Sequence, residues 1–266
     1  MPDNLVLAER REKTAIITFN DPSRANAMSP AMAERFAEVV SEVADDRSLR
    51  AVVITGAGRH FSAGGDLEML TALTEGVHDE SRRIENVGRM RHYYGRFLCV
   101  RDIAVPVIAA INGSAVGAGL CLALACDMRL VAREARLGFT FTRLGLHPGL
   151  GATYYLPRLV GPEKAFMLFA TGREIGGAEA VEYGLASSAH SSDELFEAAL
   201  ALADQISVAC PMAVRQVKRS LATALEEPLH ERLEAEAQAQ SIDYAQGQVA
   251  EGIAAVREKR APRFAD

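Results

Sequence analysis

The stretch Ala51–Leu67, AVVITGAGRHFSAGGDL, carries the pattern that decides the fold. Ala51 to Thr55 form an apolar run without alternation, which is typical of a strand buried on both faces of a parallel sheet. Small residues then occupy positions 62 to 65, and Asp66 is placed to cap a helix that begins near Leu67. The stretch therefore predicts a buried strand, a glycine-rich turn and a helix in succession.

The same order of elements returns further along the chain. Val105–Ile111 predicts a second buried strand, and NGSAVGAG at 112–119 repeats the small-residue turn ahead of a helix that runs to Ala125. Further predictions are strands at Thr14–Phe19 and Met128–Val131, a helix from about Pro30, and a polar helix or mobile lid over Gly76–Gly95. Strands that alternate with glycine turns and helices predict an α/β fold.

From about Gly161 the strand signals end and helical patterns follow one another. Apolar residues recur every three or four positions in three stripes, which indicates amphipathic helices. The stripes are Leu195, Ala199, Leu202 and Ile206; Val214, Val217, Leu221 and Leu225; and Val249, Ile253 and Val256. Pro211 and Pro228 are placed to open helices at the first turn. Because few strands are available to cover these stripes, we expect them to be buried largely at subunit contacts.

Length and charge exclude several classes of protein. The 266 residues are 49% hydrophobic and 24% charged, and a chain of this length buries a large core without disulfides or metals. The net charge of -6 disfavours nucleic acids and anionic membranes as main partners, since both bind an excess of positive charge. No apolar run reaches the roughly 18 residues of a membrane helix, and the N-terminal residues lack an apolar signal core. These features predict a cytoplasmic protein.

The four cysteines give little sign of a cross-link. Cys99, Cys121, Cys126 and Cys210 contain no C-x-x-C pair, and two of them lie in apolar runs. Reduced, buried thiols are the favoured interpretation, and a disulfide or a zinc site is the alternative.

The two glycine turns offer backbone N–H groups to a ligand. Amides at a helix N-terminus have no intrahelical acceptor and point outward. Two such amides, one from each turn, could form an oxyanion hole that stabilises a carbonyl oxygen as it gains negative charge. The alternative is that the turns are tight only because a helix packs closely against a strand. Dinucleotide binding at 55–58 is disfavoured, since no G-x-G-x-x-G enters a helix there.

Ordered motifs along nearly the whole chain resemble the crotonase (enoyl-CoA hydratase/isomerase) superfamily. The motifs are DPSRANAMS at 21–29, TGAGRHFSAGGDL at 55–67, INGSAVGAG at 111–119, Cys126-Asp127, LGLHPGLG at 144–151 and EKRAPRF at 258–264. The resemblance implies a spiral of ββα repeats in residues 1–200 and a helical trimerisation region in residues 201–266. It also implies a homotrimer or a dimer of trimers that acts on acyl-CoA thioesters in fatty acid metabolism, as a lyase or an isomerase.

The resemblance assigns residues to the site as well. The oxyanion-hole amides fall on Ala63 and Ala118, where they would stabilise the enolate of a thioester. Contacts to coenzyme A or the acyl group fall on the turns and the segments beside them: Arg24, Ala25, Ala27, Phe61, Ala63, Gly64, Gly65, Asp66, Leu67, Val116, Gly117, Ala118, Thr140 and Phe141. Lys259, in the closing basic motif, is placed to reach the nucleotide phosphates. Neither a metal nor a further cofactor is expected, since enolate chemistry on a thioester needs neither.

The sequence departs from the family pattern where catalytic acids are expected. The two glutamate positions of hydratases fall on Cys121 and Phe141, and the acid of another isomerase branch and of a dehalogenase branch falls on Gly149. General acid–base catalysis needs a titratable group within hydrogen-bond reach of the reacting atoms. We therefore expect hydration of short 2-enoyl-CoAs to be absent or very slow.

His147 and Arg143 are the candidates to replace the missing acids. His147 carries the side chain that most often exchanges protons near neutral pH, although a structural loop histidine beside Pro148 is the alternative. Arg143 is too basic to exchange protons and fits a substrate carboxylate better. Asp66 fits a helix cap, and Cys121 fits core packing. Two hypotheses follow: an enzyme of the hydratase/isomerase type that uses unfamiliar groups, and a non-catalytic acyl-CoA carrier or sensor.

Overall fold

Two sheets and eleven helices make up the computed structural model, which describes residues 4–75 and 77–265. The strands are β1 (Val6–Arg11), β2 (Thr14–Phe19), β3 (Ala51–Gly56), β4 (His60–Ser62), β5 (Val107–Ile111), β6 (Ser114–Val116), β7 (Met128–Ala132), β8 (Arg136–Gly138), β9 (Glu174–Gly176) and β10 (Ser188–His190). The helices are α1 (Pro30–Asp45), α2 (Leu67–Thr74), α3 (Glu80–Leu98), α4 (Ala118–Ala125), α5 (Ala152–Val160), α6 (Pro162–Thr171), α7 (Gly177–Glu182), α8 (Ser192–Ser207), α9 (Pro211–Thr223), α10 (Leu229–Ala245) and α11 (Gln248–Glu258).

The sheet order shows the predicted repeat. The larger sheet has the order β1-β2-β3-β5-β7-β10, and the smaller sheet has the order β4-β6-β8-β9. From β2 to β10 the larger sheet is parallel, with Val53 of β3 opposite Ile108 of β5. The units β3–β4–α2 and β5–β6–α4 each give one strand to each sheet before a helix follows. The predicted α/β spiral of ββα repeats is therefore confirmed.

Burial explains why these strands are continuous apolar runs. Val53 and Ile108 are completely buried in the middle of the larger sheet. Helix α1 covers the sheet through Phe36, whose ring stacks 5.4 Å from the ring of Phe19 on β2 and 5.5 Å from Phe97 on α3. Each fully buried side chain of this size contributes about 1.5–3 kcal/mol to folding. The packed sheet is thus a rigid base from which both glycine turns project.

Helix α8 belongs to this core, which corrects one expectation about the C-terminal stripes. Leu195 and Ala199 are buried, and α8 packs against β3, β5 and β7. The stripe of α8 is therefore covered by its own chain and not by another subunit. The expected boundary between residues 200 and 201 falls inside this helix. The segment from α9 to α11, in contrast, leaves apolar side chains exposed in the single chain: Val217, Leu221, Leu225, Ile253 and Val256.

A partly exposed ion pair fixes α9 to the core. Lys218 Nζ lies 2.7 Å from Asp127 Oδ2 and donates to Val105 O at 2.9 Å. The same carboxylate accepts a hydrogen bond from the Val107 N–H, which gives the Cys126-Asp127 motif a structural role.

Within the described part of the chain no single helix is long and apolar enough to cross a membrane. Helices α8 and α9 together have the length and apolar composition of a span, but they are bent by 110° relative to each other. The cytoplasmic location stays a prediction.

Several elements differ from the predictions in position or existence. Strand β1 is not predicted, because its apolar and polar residues do not alternate and all but its first residue are exposed. Strands β9 and β10 follow Gly161, where no strand is expected, and their three residues each are too few to show a period of two. Pro211 opens α9 as predicted, whereas Pro228 is the N-cap residue of α10. Residues 80–95 of the predicted polar helix lie in α3, and Gly76 lies outside the described residues.

Candidate active site

A cavity of about 900 Å³ lies beside both glycine turns. Its walls come from the segment 24–27, the turn at 63–66 with α2, one face of α3, the start of α4 and the segment 140–150. Apolar side chains line most of it: Met69, Leu70, Leu73, Met90, Phe141, Leu144, Leu146 and Leu150. A concave, mainly apolar cavity with a few polar groups is typical of a small-molecule site.

The first turn offers a different amide from the one predicted. The Ala63 N–H donates to Ala25 O at 2.8 Å, and the Gly64 N–H donates to Ser62 Oγ at 3.1 Å. The Gly65 N–H has no acceptor among the residues that the structure describes, and Gly65 lines the cavity. The prediction that Ala63 supplies a free amide is therefore wrong. The free donor of this turn is Gly65.

The second turn has a free amide at the predicted residue. Ala118 is the first residue of α4, so its N–H has no intrahelical acceptor. The amides around it are used, since Gly117 N–H donates to Gly138 O at 2.8 Å and Cys121 N–H donates to Gly117 O at 3.1 Å. Gly117 has a φ of 51°, a conformation that costs glycine little and that turns the chain into the helix. The Ala118 N–H is thus left without a partner in the described chain, on the cavity wall.

Close packing brings the two turns together. A Cβ atom on Gly64, whose φ is 87°, would lie 2.5 Å from Val116 O and 3.2 Å from Ala118 N. A Cβ atom on Gly119 would lie 2.5 Å from Ser62 Cβ. Both positions therefore require glycine for steric reasons, as expected if the turns are tight because a helix packs closely against a strand. The same contact places the free amides of both turns on one cavity.

Asp66 is a structural residue of the first turn. Its Oδ1 atom accepts from Met69 N at 2.8 Å, which confirms the predicted cap of α2, and its Oδ2 atom forms an ion pair with Arg24. The residue is buried. Glu68, the other carboxylate on the cavity wall, has a side chain that is 90% exposed. Neither carboxylate lies free in the apolar part of the cavity.

The three positions that lack the expected acids are apolar or empty of a side chain. Cys121 is completely buried in α4, and burial raises the pKa of its thiol, so the thiol stays protonated and unreactive. Phe141 lies next to the second turn, since a Cβ atom on Gly117 would be 3.9 Å from its Cζ atom. Gly149 lines the cavity and contributes only backbone. None of the three positions therefore presents an acidic side chain to the cavity.

Of the two predicted substitutes, His147 lines the cavity and Arg143 does not. His147 Nδ1 lies 2.7 Å from Pro148 O. A carbonyl oxygen can only accept, so Nδ1 carries the proton and Nε2 is the acceptor of the neutral ring. Arg143 Nε donates to Thr171 O at 3.3 Å, and its side chain packs against Gly172. The structure thus directs Arg143 toward the end of α6 and away from the cavity.

The remaining predicted contact residues fall into two groups. One group lines the cavity: Arg24, Ala27, Ala63, Gly65, Asp66, Leu67, Gly117, Ala118, Thr140 and Phe141. The other group shapes the turns without lining it: Ala25, Phe61, Gly64 and Val116. Lys259 follows α11, where Arg260 and Glu251 hold the closing basic segment by hydrogen bonds of 2.7 and 2.9 Å. These bonds lower the pKa of Glu251 to about 2.

Helix α3 contributes a wall that the sequence analysis does not predict. Met90, Tyr93 and Tyr94 line the cavity, and the Tyr93 hydroxyl donates to Met28 O at 2.6 Å. A signal exists, because these three residues and Phe97 recur at helical spacing within the Arg-rich stretch. The charged residues between them obscure this helical apolar period in the sequence.

The chain is similar to known proteins along almost its whole length. A family model described as enoyl-CoA hydratase/isomerase matches residues 9–266. YngF of Bacillus subtilis (strain 168) is 37% identical over 262 residues, which cover 98% of this chain and 97% of YngF. An enoyl-CoA hydratase from Bacillus anthracis, solved as a crystal structure, has a TM-score of 0.89 at 34% identity and covers 98% of both chains. One from Polaromonas sp. JS666 has a TM-score of 0.90 at 28% identity, covering 98% of this chain and 99% of that chain.

Two independent likenesses thus agree with the motifs and with the two-turn cavity. The relatives match in sequence from end to end, and the solved structures match in fold over the same length. The chain belongs to the enoyl-CoA hydratase/isomerase family, whose members have the crotonase fold.

Proposed function

We propose that this protein is an acyl-CoA enzyme of the hydratase/isomerase type that stabilises a thioester enolate between the N–H groups of Gly65 and Ala118. The observation that carries the proposal is the pair of amides, engaged by no described residue, on the wall of a mainly apolar cavity. An enolate concentrates negative charge on the former carbonyl oxygen. Preorganised donors stabilise that charge more than the neutral carbonyl, so the α-carbon becomes easier to deprotonate. This chemistry needs no metal and no cofactor beyond the coenzyme A of the substrate.

The proposed reaction is an isomerisation or a lyase-type bond cleavage, and hydration is not expected. Hydration needs a group that positions and deprotonates a water molecule beside C3 of the acyl chain. Asp66 is held by Arg24 and by the amide of Met69, and Glu68 lies in solvent. His147 is exposed at the cavity rim, where its Nδ1 is bonded to Pro148 O. Phe141 makes the neighbourhood of the second turn apolar. A cavity of this kind still supports an enolate, because the two amides need no carboxylate to act.

The acyl and nucleotide ends of the ligand have different surroundings in this proposal. Met69, Leu73 and Met90 form an apolar wall for the acyl chain. Arg24 is the cationic side chain on the cavity wall, and Lys259 is the C-cap residue of α11, at the start of the basic closing segment. We assign both cations to the phosphates of coenzyme A. Lys259 would reach the coenzyme A bound to its own subunit or to a neighbouring subunit.

The second candidate is a non-catalytic acyl-CoA carrier or sensor. The observation that favours it is the loss of a carboxylate at Cys121, Phe141 and Gly149 together. A carrier would keep the thioester in the same two-amide site and would not exchange protons with it.

Two measurements on the unmodified protein separate these functions. The first is the Kd of butyryl-CoA, and the second is the exchange of its α-hydrogens for deuterium in D2O, followed by mass spectrometry. Binding with exchange above the solvent background supports the enzyme, whereas binding without exchange leaves only the carrier. Loss of crotonyl-CoA absorbance at roughly 10 per second or more, an ordinary enzyme rate, would contradict the proposed lack of hydration.

We also propose that α9 to α11 mediate self-association as a trimer or a dimer of trimers. Leu221, Leu225 and Val256 are each more than two-thirds exposed in the single chain. Exposed apolar side chains of this size are typical of protein–protein contacts, because burying them against another copy stabilises the assembly. Sedimentation at micromolar concentration should give a trimer or a hexamer. A monodisperse monomer would contradict the assignment.

A further inference from the structure

A phenol fills the space beside Gly149, one of the positions that lack the expected acid. A Cβ atom on Gly149 would overlap Tyr94 Oη and would lie 3.1 Å from Tyr94 Cζ. Tyr94 is on α3, which packs against α4, the helix that carries the free Ala118 amide. The missing side chain at position 149 therefore makes room for the Tyr94 hydroxyl on the cavity wall.

Tyr94 differs from its neighbour Tyr93 in what its hydroxyl does. The Tyr93 hydroxyl donates to Met28 O, and its side chain is buried. Tyr94 is half-buried and lines the cavity, and no described residue makes a hydrogen bond to its hydroxyl. A polar group in an apolar wall is costly unless a ligand or water satisfies it. The Tyr94 hydroxyl is thus available to a bound acyl-CoA.

The surroundings favour the protonated form of this phenol. Burial raises the pKa of Tyr94, because a phenolate in the apolar wall would lose its hydration. Tyr94 is therefore a proton donor at neutral pH. An enolate carbon is far more basic than a phenolate, so proton transfer from this donor runs downhill.

We propose that Tyr94 is the catalytic proton donor to the α-carbon of the enolate that Gly65 and Ala118 hold, an assignment that rests on the proposed function. In this step the electron pair of the enolate forms the new C–H bond at the α-carbon. The Oη–H bond of Tyr94 breaks, and the thioester carbonyl re-forms. The phenolate then takes a proton from water. The reverse step, in which the phenolate removes an α-hydrogen, follows the same path.

The test is α-hydrogen exchange of butyryl-CoA in D2O at about pD 9, where a larger share of the phenol is ionised and able to act in the reverse step. Tyr94→Phe should exchange at least about 100-fold more slowly than the unmodified protein, in line with the usual contribution of a proton-transfer group. Its Kd for butyryl-CoA should be unchanged, because the ring that packs in the wall is retained. Tyr183→Phe removes a phenol bonded to Arg173 outside the cavity and should exchange normally.

A second variant keeps the assignment testable if Tyr94→Phe does not fold. Gly149→Ala places a methyl group where the Tyr94 hydroxyl lies and should slow exchange to a similar degree. Gly95→Ala is the matched control on α3, since a Cβ atom there meets nothing within 4 Å. Normal exchange in Tyr94→Phe, or in a folded Gly149→Ala, would overturn the role of Tyr94 and leave the proposed function standing. No exchange in the unmodified protein would overturn both.

Discussion

The two glycine turns have similar sequences, but they use their backbones differently. In the first turn the amides of Ala63 and Gly64 are consumed by Ala25 O and Ser62 Oγ, and only Gly65 is left free. In the second turn Ala118 is free because it begins a helix. Small residues thus mark where a ligand can approach the backbone. Which amide is free depends on the contacts around each turn.

The turns also differ in what holds them in place. Side chains help to hold the first turn beside its backbone hydrogen bonds, since Ser62 Oγ donates to Asn26 O at 2.8 Å and Asp66 pairs with Arg24. In the second turn the Asn112 side chain bonds to Gly56, but the part that leads into α4 is held by the backbone hydrogen bond between Gly117 and Gly138. Side-chain substitutions should therefore affect the stability of the first turn, whereas loss of one backbone N–H should affect the chemistry at the second.

The largest expected effect follows from Ala118→Pro. Proline removes the N–H donor but is tolerated at the first residue of a helix, so α4 should persist. We expect α-hydrogen exchange of butyryl-CoA to fall about 100- to 1,000-fold, as for loss of an oxyanion-hole donor. Ser192→Pro, the same change at the first residue of α8, should exchange normally. An equal loss of rate in both variants, or no loss in a folded Ala118→Pro, would refute the role of this amide.

Gly64→Ala should weaken the contact between the turns. The new Cβ atom would meet Val116 O, and alanine resists a φ of 87°, so urea unfolding should show a loss of about 2–4 kcal/mol. Gly65→Ala is the comparison, because its Cβ atom lies 3.7 Å from Leu70 Cδ1, an ordinary contact. Its unfolding free energy should change by less than about 0.5 kcal/mol. Equal stabilities of the two variants would contradict the packing described here.

Ser62→Ala tests how much its side chain stabilises the first turn. The change leaves the buried Gly64 N–H without its acceptor, which should cost about 1–3 kcal/mol of unfolding free energy. Ser114 begins β6 within the second turn, and no described residue makes a hydrogen bond to its hydroxyl, so Ser114→Ala should change stability by less than about 0.5 kcal/mol. The prediction fails if chemical denaturation finds the two alanine variants equally stable.

The smallest effect is expected for Asp66→Asn. Asparagine still caps α2, and the ion pair is lost, but the Arg24 side chain is 45% exposed and solvent screens its charge. The unfolding free energy should fall by less than about 1 kcal/mol. The α-hydrogen exchange rate should stay near that of the unmodified protein, because Asp66 does not act on the substrate. A large loss of exchange without loss of stability would give Asp66 the catalytic role denied here.

The sequence predicts the buried strands and the turns because their signals are local. Ala51–Thr55 and Val107–Ile111 are continuous apolar runs, and Asp66 caps the helix that follows it, as its position indicates. Which amide of the first turn is free cannot be predicted from the residues of the turn itself. It depends on Ala25 O, which lies 38 positions before Ala63 in the chain and consumes that amide.

Two further misses have the same origin. Strands β9 and β10 are three residues long, so their place in a sheet is set by their neighbours and not by a period in their own sequence. Leu195 on α8 has the spacing of an amphipathic helix, but only the fold shows that its own sheet covers it. Tyr94 likewise sits in a polar stretch, and its place beside Gly149 depends on packing between segments far apart in the chain.

The carbonyl stretching frequency of bound butyryl-CoA, labelled with carbon-13 at the thioester carbon, tests the two-amide site most directly. Hydrogen bonds from Gly65 and Ala118 draw electron density onto the oxygen and weaken the C=O bond. Isotope-edited infrared spectra should therefore show a lower frequency for the ligand bound to the unmodified protein than for the free ligand. The shift should be smaller for the ligand bound to Ala118→Pro. A bound ligand that absorbs at the free frequency would contradict an oxyanion hole at these residues.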